Sequence, residues 1–95
     1  MEVFIYKKKS CEVKIIESSL ERDFLELLSM FINAFSLGIE LAFEEITEIV
    51  FYNSKGEKML VKYTPDCWLC GISSFSEEYI RTKIELISIK ESLSY

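Results

Sequence analysis

The most constraining feature of the chain is one long segment, residues 20–41, whose composition favours helix. Ser18, followed three residues later by Glu21, matches a capping box at its start. At 100° per residue, the polar side chains fall in one narrow stripe: Arg22, Glu26, Ser29, Asn33, Ser36 and Glu40. Apolar side chains occupy the remaining arc of roughly 240°, whereas an arc of about 100° is enough to cover one sheet. We therefore expect a further cover on this helix.

The centre of the apolar arc is expected to lie on a sheet, and its two flanks are expected to need another chain. The expected sheet-facing set is Leu20, Phe24, Leu27, Phe31, Phe35 and Ala42. The flanks are Leu25, Ile32 and Ile39 on one side, and Met30, Leu37 and Leu41 on the other. A row of small residues, Ala34, Gly38 and Ala42, is expected to let the helix sit close on the strands.

A membrane span is a rival interpretation, since residues 24–43 are largely apolar. Glu26, Asn33 and Glu40 align on one stripe, and each is costly in lipid. The short strands predicted on both sides also need a sheet with which to pair. We therefore expect no transmembrane segment.

Short runs with strand character flank the helix. Runs 3–6 and 11–16 precede it and are expected to pair as a hairpin across residues 7–10. Runs 46–52, 58–64 and 67–73 follow, separated by turns at 53–56 and 65–66, and predict a meander. A second capping-box match at 74–77 opens a last helix over about 75–92, with Ile80, Ile84 and Ile87 on one stripe. The order β-β-α-β-β-β-α predicts one α+β domain over residues 1–95.

Composition argues against several classes of function. The formal net charge is -5 and the one basic cluster is Lys7–Lys9, so we expect no nucleic-acid partner. The chain has no His and only three Gly, which argues against a metal site, a phosphate-binding loop and an enzyme. We expect no cofactor. Three Cys with no secretory signal before them predict a reducing, cytoplasmic setting.

Cys67 and Cys70 form the one motif with a chemical interpretation. A redox pair of this spacing lies where a strand meets a helix, because the helix N-terminus lowers a thiol pKa. Here the pair falls inside a predicted strand, where residues three apart point to opposite faces. A structural role is favoured, and a small thiol or redox protein stays as an alternative.

The stretch from Phe24 to Leu93 resembles the roadblock and longin-like domains. The similarity lies in "FLELLSMFINAFSLGIELAFEEITEIVFYNSKGEKMLVKY", then "CWLCGISS" and "SEEYIRTKIELISIKESL". The resemblance implies a five-stranded antiparallel sheet with helices packed on its faces, as in roadblock, longin and profilin-like folds. It also implies a dimeric platform that regulates or tethers a small Ras-like GTPase. Roadblock domains usually carry a further helix before the first strand, whereas strand character here starts at Val3, which moves the chain toward the longin arrangement.

The leading hypothesis is a non-enzymatic scaffold that dimerises with itself or a related chain and binds a small GTPase. The alternative is a longin-like subunit of a trafficking or assembly complex. The interface is expected at Leu25, Met30, Ile32, Leu37 and Ile39, extended by Ile49 and Phe51 if the third strand is a sheet edge. On this hypothesis Ile32→Glu dissociates the complex and leaves the fold intact.

Overall fold

The computed structural model describes the backbone of residues 1–93 and the side chains of residues 1–91. The elements in chain order are β1 (Glu2–Lys7), β2 (Glu12–Glu17), α1 (Arg22–Phe43), β3 (Glu48–Tyr52), β4 (Lys58–Tyr63), β5 (Cys67–Ser73) and α2 (Glu77–Leu93). The fold is α+β, and the predicted order of strands and helices is confirmed. All five strands form one antiparallel sheet.

The strand order in the sheet is β2-β1-β5-β4-β3, so β1 and β5 are neighbours near its centre. Phe4 of β1 lies opposite Ile15 of β2 on one side and opposite Cys70 of β5 on the other. The edges are β2 and β3, and α1 connects them. The four spacings between the five strands give the sheet a width of about 19 Å. A helix of 22 residues is about 33 Å long, which is enough for α1 to pass across the whole sheet.

The two helices pack on opposite faces of the sheet. Successive side chains along each strand point to opposite faces, so each helix covers its own hydrophobic core. The α1 side buries Phe4, Tyr6, Val13, Leu25, Ile32, Val61, Trp68 and Cys70. The α2 side buries Ile5, Leu60, Leu69, Ile80 and Ile84, with Ile87 packed against them. The predicted stripe of isoleucines on the last helix is therefore the face that contacts the sheet.

Gly71 of β5 sets how closely α2 can approach the sheet. A Cβ at this position would lie 2.8 Å from Cγ2 of Ile80 and 3.0 Å from Cδ1 of Ile84. Real carbon contacts are longer, so a side chain here would push α2 away. Gly56 has a different role, because its φ of 81° allows the turn between β3 and β4.

The capping boxes expected from the sequence differ from those in the structure. Glu21 is the N-cap of α1 and makes no side-chain cap bond, while the Ser18 hydroxyl accepts the N–H of Leu20. Ser19 is bonded to the carboxylate of Glu2, which ties the segment to β1. At α2 the Ser76 hydroxyl accepts the N–H of Tyr79 at 3.2 Å, so the cap lies two residues after the expected Ser74.

Candidate interaction surface

The rotation of α1 about its axis decides which of its side chains remain available. Its buried residues are Leu25, Ser29, Ile32 and Ser36, so half of the side chains that face the sheet are serines. The Ser29 hydroxyl donates to the carbonyl of Leu25 at 2.7 Å, and the Ser36 hydroxyl is bonded to Ile32 and to Tyr63 of β4. These bonds satisfy the buried hydroxyls, as burial requires.

The expected orientation of the helix is therefore wrong. The side chains expected to centre on the sheet are exposed, including Phe24, Leu27 and Phe31. The expectation assumed that the most apolar face of a helix is the buried one. In this molecule two small hydroxyl residues, Ser29 and Ser36, lie on the side that faces the sheet, and the apolar arc faces outward.

The apolar surface that results is large, and we call it the outer face of α1. It consists of Leu20, Phe24, Leu27, Met30, Phe31, Phe35, Leu37 and Leu41; Phe43 is exposed too, but it lies on the same side of the helix as the buried Leu25. Leu41 keeps 92% of its surface and Phe31 keeps 67%. With about 200 Å² for each fully exposed large side chain, the outer face exposes on the order of 1,000 Å². The largest apolar patch on a typical monomer is about 300–600 Å², and a standard interface buries about 800 Å² per partner.

The expected interface residues divide into two groups. Leu25 is fully buried and Ile32 is 4% exposed, so both belong to the core and cannot form an exposed contact surface. Ile39 is half-buried beside them. Met30 and Leu37 are exposed and lie on the outer face. The assignment of Leu25 and Ile32 to an interface is therefore corrected.

The small residues of α1 also lie on the outer side. Ala34, Gly38 and Ala42 are exposed, and a Cβ added at Gly38 would meet no atom within 4 Å. The row therefore does not hold the helix against the strands, contrary to expectation. Its position leaves a shallow strip between the larger side chains where another backbone can approach.

The outer face continues onto the sheet edge at β3, the edge position expected for this strand. Phe35 of α1 contacts Phe51 of β3, with ring centroids 5.7 Å apart. Ile49 and Phe51 are half-buried, and the inner run of β3, Ile49 to Phe51, carries no charge. The opposite edge differs, because β2 carries Lys14 and Glu17, which form ion pairs with α2. β3 has one charge, Glu48 at its start, which is ion-paired with Arg81 of α2. With its inner run uncharged, the β3 edge is more open than β2 to pairing with another strand.

The charges at the two ends of the outer face are acidic, whereas Lys8 lies in a cleft beside Leu37 and Glu40. Exposed carboxylates lie at its first end (Glu21 and Asp23), along one flank (Glu26) and just past its last turn (Glu44 and Glu45). Among the described residues, none of these five is in an ion pair. The one basic residue of α1, Arg22, donates to the carbonyl of Val13 at 2.7 Å. The surface is thus apolar in the middle and acidic at its boundary.

A second, smaller apolar strip lies on α2, where Tyr79, Leu86 and Leu93 recur at a spacing of seven residues along one side of the helix. Tyr79 and Leu86 are exposed, as are Phe75 and Ile89, and the rings of Phe75 and Tyr79 are 4.8 Å apart. Leu93 lies outside the described side chains. This strip is interrupted by Thr82 and is much less extensive than the outer face of α1.

The cysteines are not brought together. Cys70 points into the α1-side core and Cys67 into the α2-side core, and all three cysteines are free. Burial raises the pKa of the Cys70 thiol well above its ordinary value. Cys67 lines a cleft of about 620 Å³ beside Thr64, whose hydroxyl lies 3.1 Å from its sulfur. Within the described residues, no group of acidic or Cys side chains is arranged to hold a metal ion.

Thiol reactivity of the folded chain is expected to follow these three environments. Cys11 is exposed in the β1–β2 turn and should react with a disulfide reagent within seconds at pH 8. Cys67 should react more slowly, and Cys70 only at the rate of unfolding. Stopped-flow titration of Cys11→Ser, Cys67→Ser and Cys70→Ser variants assigns each phase. Rapid reaction of Cys67 and Cys70 as a pair at pH 6 would instead support the redox alternative.

α1 also meets the length and composition of a membrane-crossing helix, although about a fifth of that stretch is buried against the sheet. Comparison of the chain with protein-family models, with curated proteins and with solved structures gives no match.

Proposed function

We propose that this chain is a non-enzymatic protein-interaction domain that works as one half of a dimer, with itself or a related chain. The observation that carries the proposal is the outer face of α1. A folded chain with on the order of 1,000 Å² of contiguous apolar surface gains stability when another surface covers it. That area matches what one partner contributes to a stable protein–protein interface.

Several features favour a protein partner over a lipid surface. Helices that lie on membranes carry Lys and Arg along the polar side, which attract anionic headgroups. The boundary of this face is acidic instead, and the chain carries a net charge of -5. The row at Ala34, Gly38 and Ala42 permits close approach of a second helix, and the adjoining β3 edge permits strand pairing.

A scaffold role for a small Ras-like GTPase is the more specific part of the proposal. It comes from the resemblance to roadblock domains, in which such platforms hold or regulate these enzymes. A reducing, cytoplasmic location fits the three free cysteines. The longin-like alternative, a subunit of a trafficking or assembly complex, is favoured if the chain never associates with itself or with a chain of its own kind.

The test is the solution mass of the purified chain by light scattering, over a dilution series in 0.5 M salt. We expect the mass to rise above the 11.1 kDa of the monomer as concentration increases. Phe31→Glu places a charge in the middle of the outer face and should reduce this association at least tenfold. Leu86→Glu makes the same chemical change on the α2 strip, at a residue 63% exposed, and should leave the association unchanged.

Two outcomes would contradict the proposal. A mass of 11.1 kDa at every concentration would argue against a dimer and favour the longin-like alternative. An equal loss of association in Phe31→Glu and Leu86→Glu would mean that the outer face of α1 is not the contact. A GTPase partner is tested separately, by adding small GTPases in their GDP-bound and GTP-bound forms to the associated chain.

A further inference from the structure

We infer that the partner on the outer face of α1 is a different protein chain, with an apolar surface bordered by Lys and Arg. This inference rests on the proposed function and specifies its partner. The charge distribution around the face supports this inference, because a second copy of the chain would place its own acidic residues at the boundary of the same face.

Both ends of the helix are acidic. Glu21 and Asp23 lie at the start of α1, and Glu44 and Glu45 lie directly after its end. If two copies packed antiparallel, the acids at the start of one helix would meet those at the end of the other. If they packed parallel, each acidic group would meet its own copy. Like charges brought together at an interface oppose association in both arrangements.

The C-terminal end of α1 has a negative electrostatic potential. The carbonyl groups there carry a partial negative charge, which basic residues in the last turn ordinarily offset. The last turn of α1 has no basic residue, and Glu40, Glu44 and Glu45 add to the negative potential. None of the three is in an ion pair within the described part of the chain. A partner with Lys or Arg at this position would supply the missing positive charge.

Glu26 borders the exposed flank at Met30, but it shares a cleft with Lys7, Lys14 and Arg22 of the same chain. Within residues 1–91, the acids without nearby basic side chains are therefore those at the two ends of the face. The basic residues of the partner are thus expected mainly at both ends of its apolar strip. A chain of this kind would bind at low ionic strength and release as salt rises, because the pairs at the boundary are exposed to solvent.

A charge-reversed copy of this chain can act as the probe. One variant carries Glu21→Lys, Asp23→Lys, Glu26→Lys, Glu44→Lys and Glu45→Lys, all at exposed positions, so its apolar face is unchanged and its boundary is basic. The control carries Glu12→Lys, Glu57→Lys, Asp66→Lys, Glu78→Lys and Glu85→Lys, exposed positions outside α1 and away from both of its ends. Both variants change the net charge equally, so a difference between them reports where the charges lie.

We expect the wild type and the reversed variant each to remain monomeric alone in about 20 mM salt, and their mixture to form a 1:1 complex. The complex should be at least tenfold tighter than self-association of either chain and should weaken in 0.5 M salt. A mixture of wild type and control should form no such complex. The wild type alone should self-associate more strongly as salt rises, which tests the inference without any variant.

Other results would overturn it. A wild-type dimer that is stable in 20 mM salt would keep the proposed function and refute the basic-bordered partner. A mixture with the reversed variant that stays monomeric, with both chains folded by circular dichroism, would also refute it. Binding of the wild type to phosphatidylcholine vesicles, lost in Phe31→Glu, would assign the face to lipid and overturn both proposals.

Discussion

Ile32→Glu is expected to leave the domain largely unfolded at 25 °C. Ile32 is 4% exposed and belongs to the apolar core between α1 and the sheet. A buried, unpaired carboxylate is among the changes that cost more than about 4 kcal/mol. A chain of 95 residues has about 5–14 kcal/mol of total stability, so this loss removes much or all of it. Far-UV circular dichroism and urea unfolding measure the effect.

The neighbouring residue supplies the control. Phe31→Glu introduces the same carboxylate one position earlier, at a side chain that is 67% exposed, and should keep the fold within about 1 kcal/mol of the wild type. One residue corresponds to about 100° of rotation around a helix. If Phe31→Glu unfolded the chain and Ile32→Glu did not, α1 would be rotated from the orientation described, and the outer face would be the core.

Trp68→Ala is expected to destabilise the domain by about 3–5 kcal/mol. Trp68 is fully buried near the start of β5, opposite Tyr6 of β1 and Tyr63 of β4. Its ring stacks on Tyr6 with centroids 5.0 Å apart and meets the edge of Phe4 at 5.9 Å. Removing the indole leaves a cavity beneath α1 that these strands cannot close without losing their own pairing.

Trp68→Phe is the matched control for this prediction. Phenylalanine keeps an aromatic ring between Phe4 and Tyr6 and removes the indole N–H, which has no hydrogen-bond partner in the described part of the chain. Removing a buried polar group that has no partner favours the folded state, and this gain offsets part of the stability lost with the smaller side chain. We therefore expect a cost of about 1–2 kcal/mol in urea unfolding followed by circular dichroism. Equal costs for the two variants would mean that ring packing at this site contributes little.

Local patterns in the sequence predict most of the fold. The order of the seven elements is confirmed, the alternation of apolar and charged residues in β2 identifies Val13 as buried, and the turn predicted at 53–56 contains Gly56 with a positive φ. The continuous apolar run of β5 identifies a central strand. These features succeed because each depends on residues that are near one another in the chain.

The rotation of α1 could not be predicted in the same way. Periodicity identifies the most apolar face of a helix and cannot say whether that face meets the sheet or another surface. The deciding interactions are long-range: the bond between Ser36 and Tyr63, and the contact between Phe35 and Phe51. The surplus of apolar surface was visible in the sequence, but its position on the molecule required the sheet to be placed first.

The central position of β1 has a consequence for how the chain folds. β1 precedes the other strands of the sheet in the chain, yet one of its two neighbours is β5, so the pairing of Phe4 is incomplete until Cys70 is in place. Contacts this distant in sequence are slow to form, because a long loop must close first. The hairpin of β1 and β2 stays open on one side until β5 has been synthesised. A chain truncated before β5 therefore loses the middle of its sheet, and the domain is expected to fold as one unit or not at all.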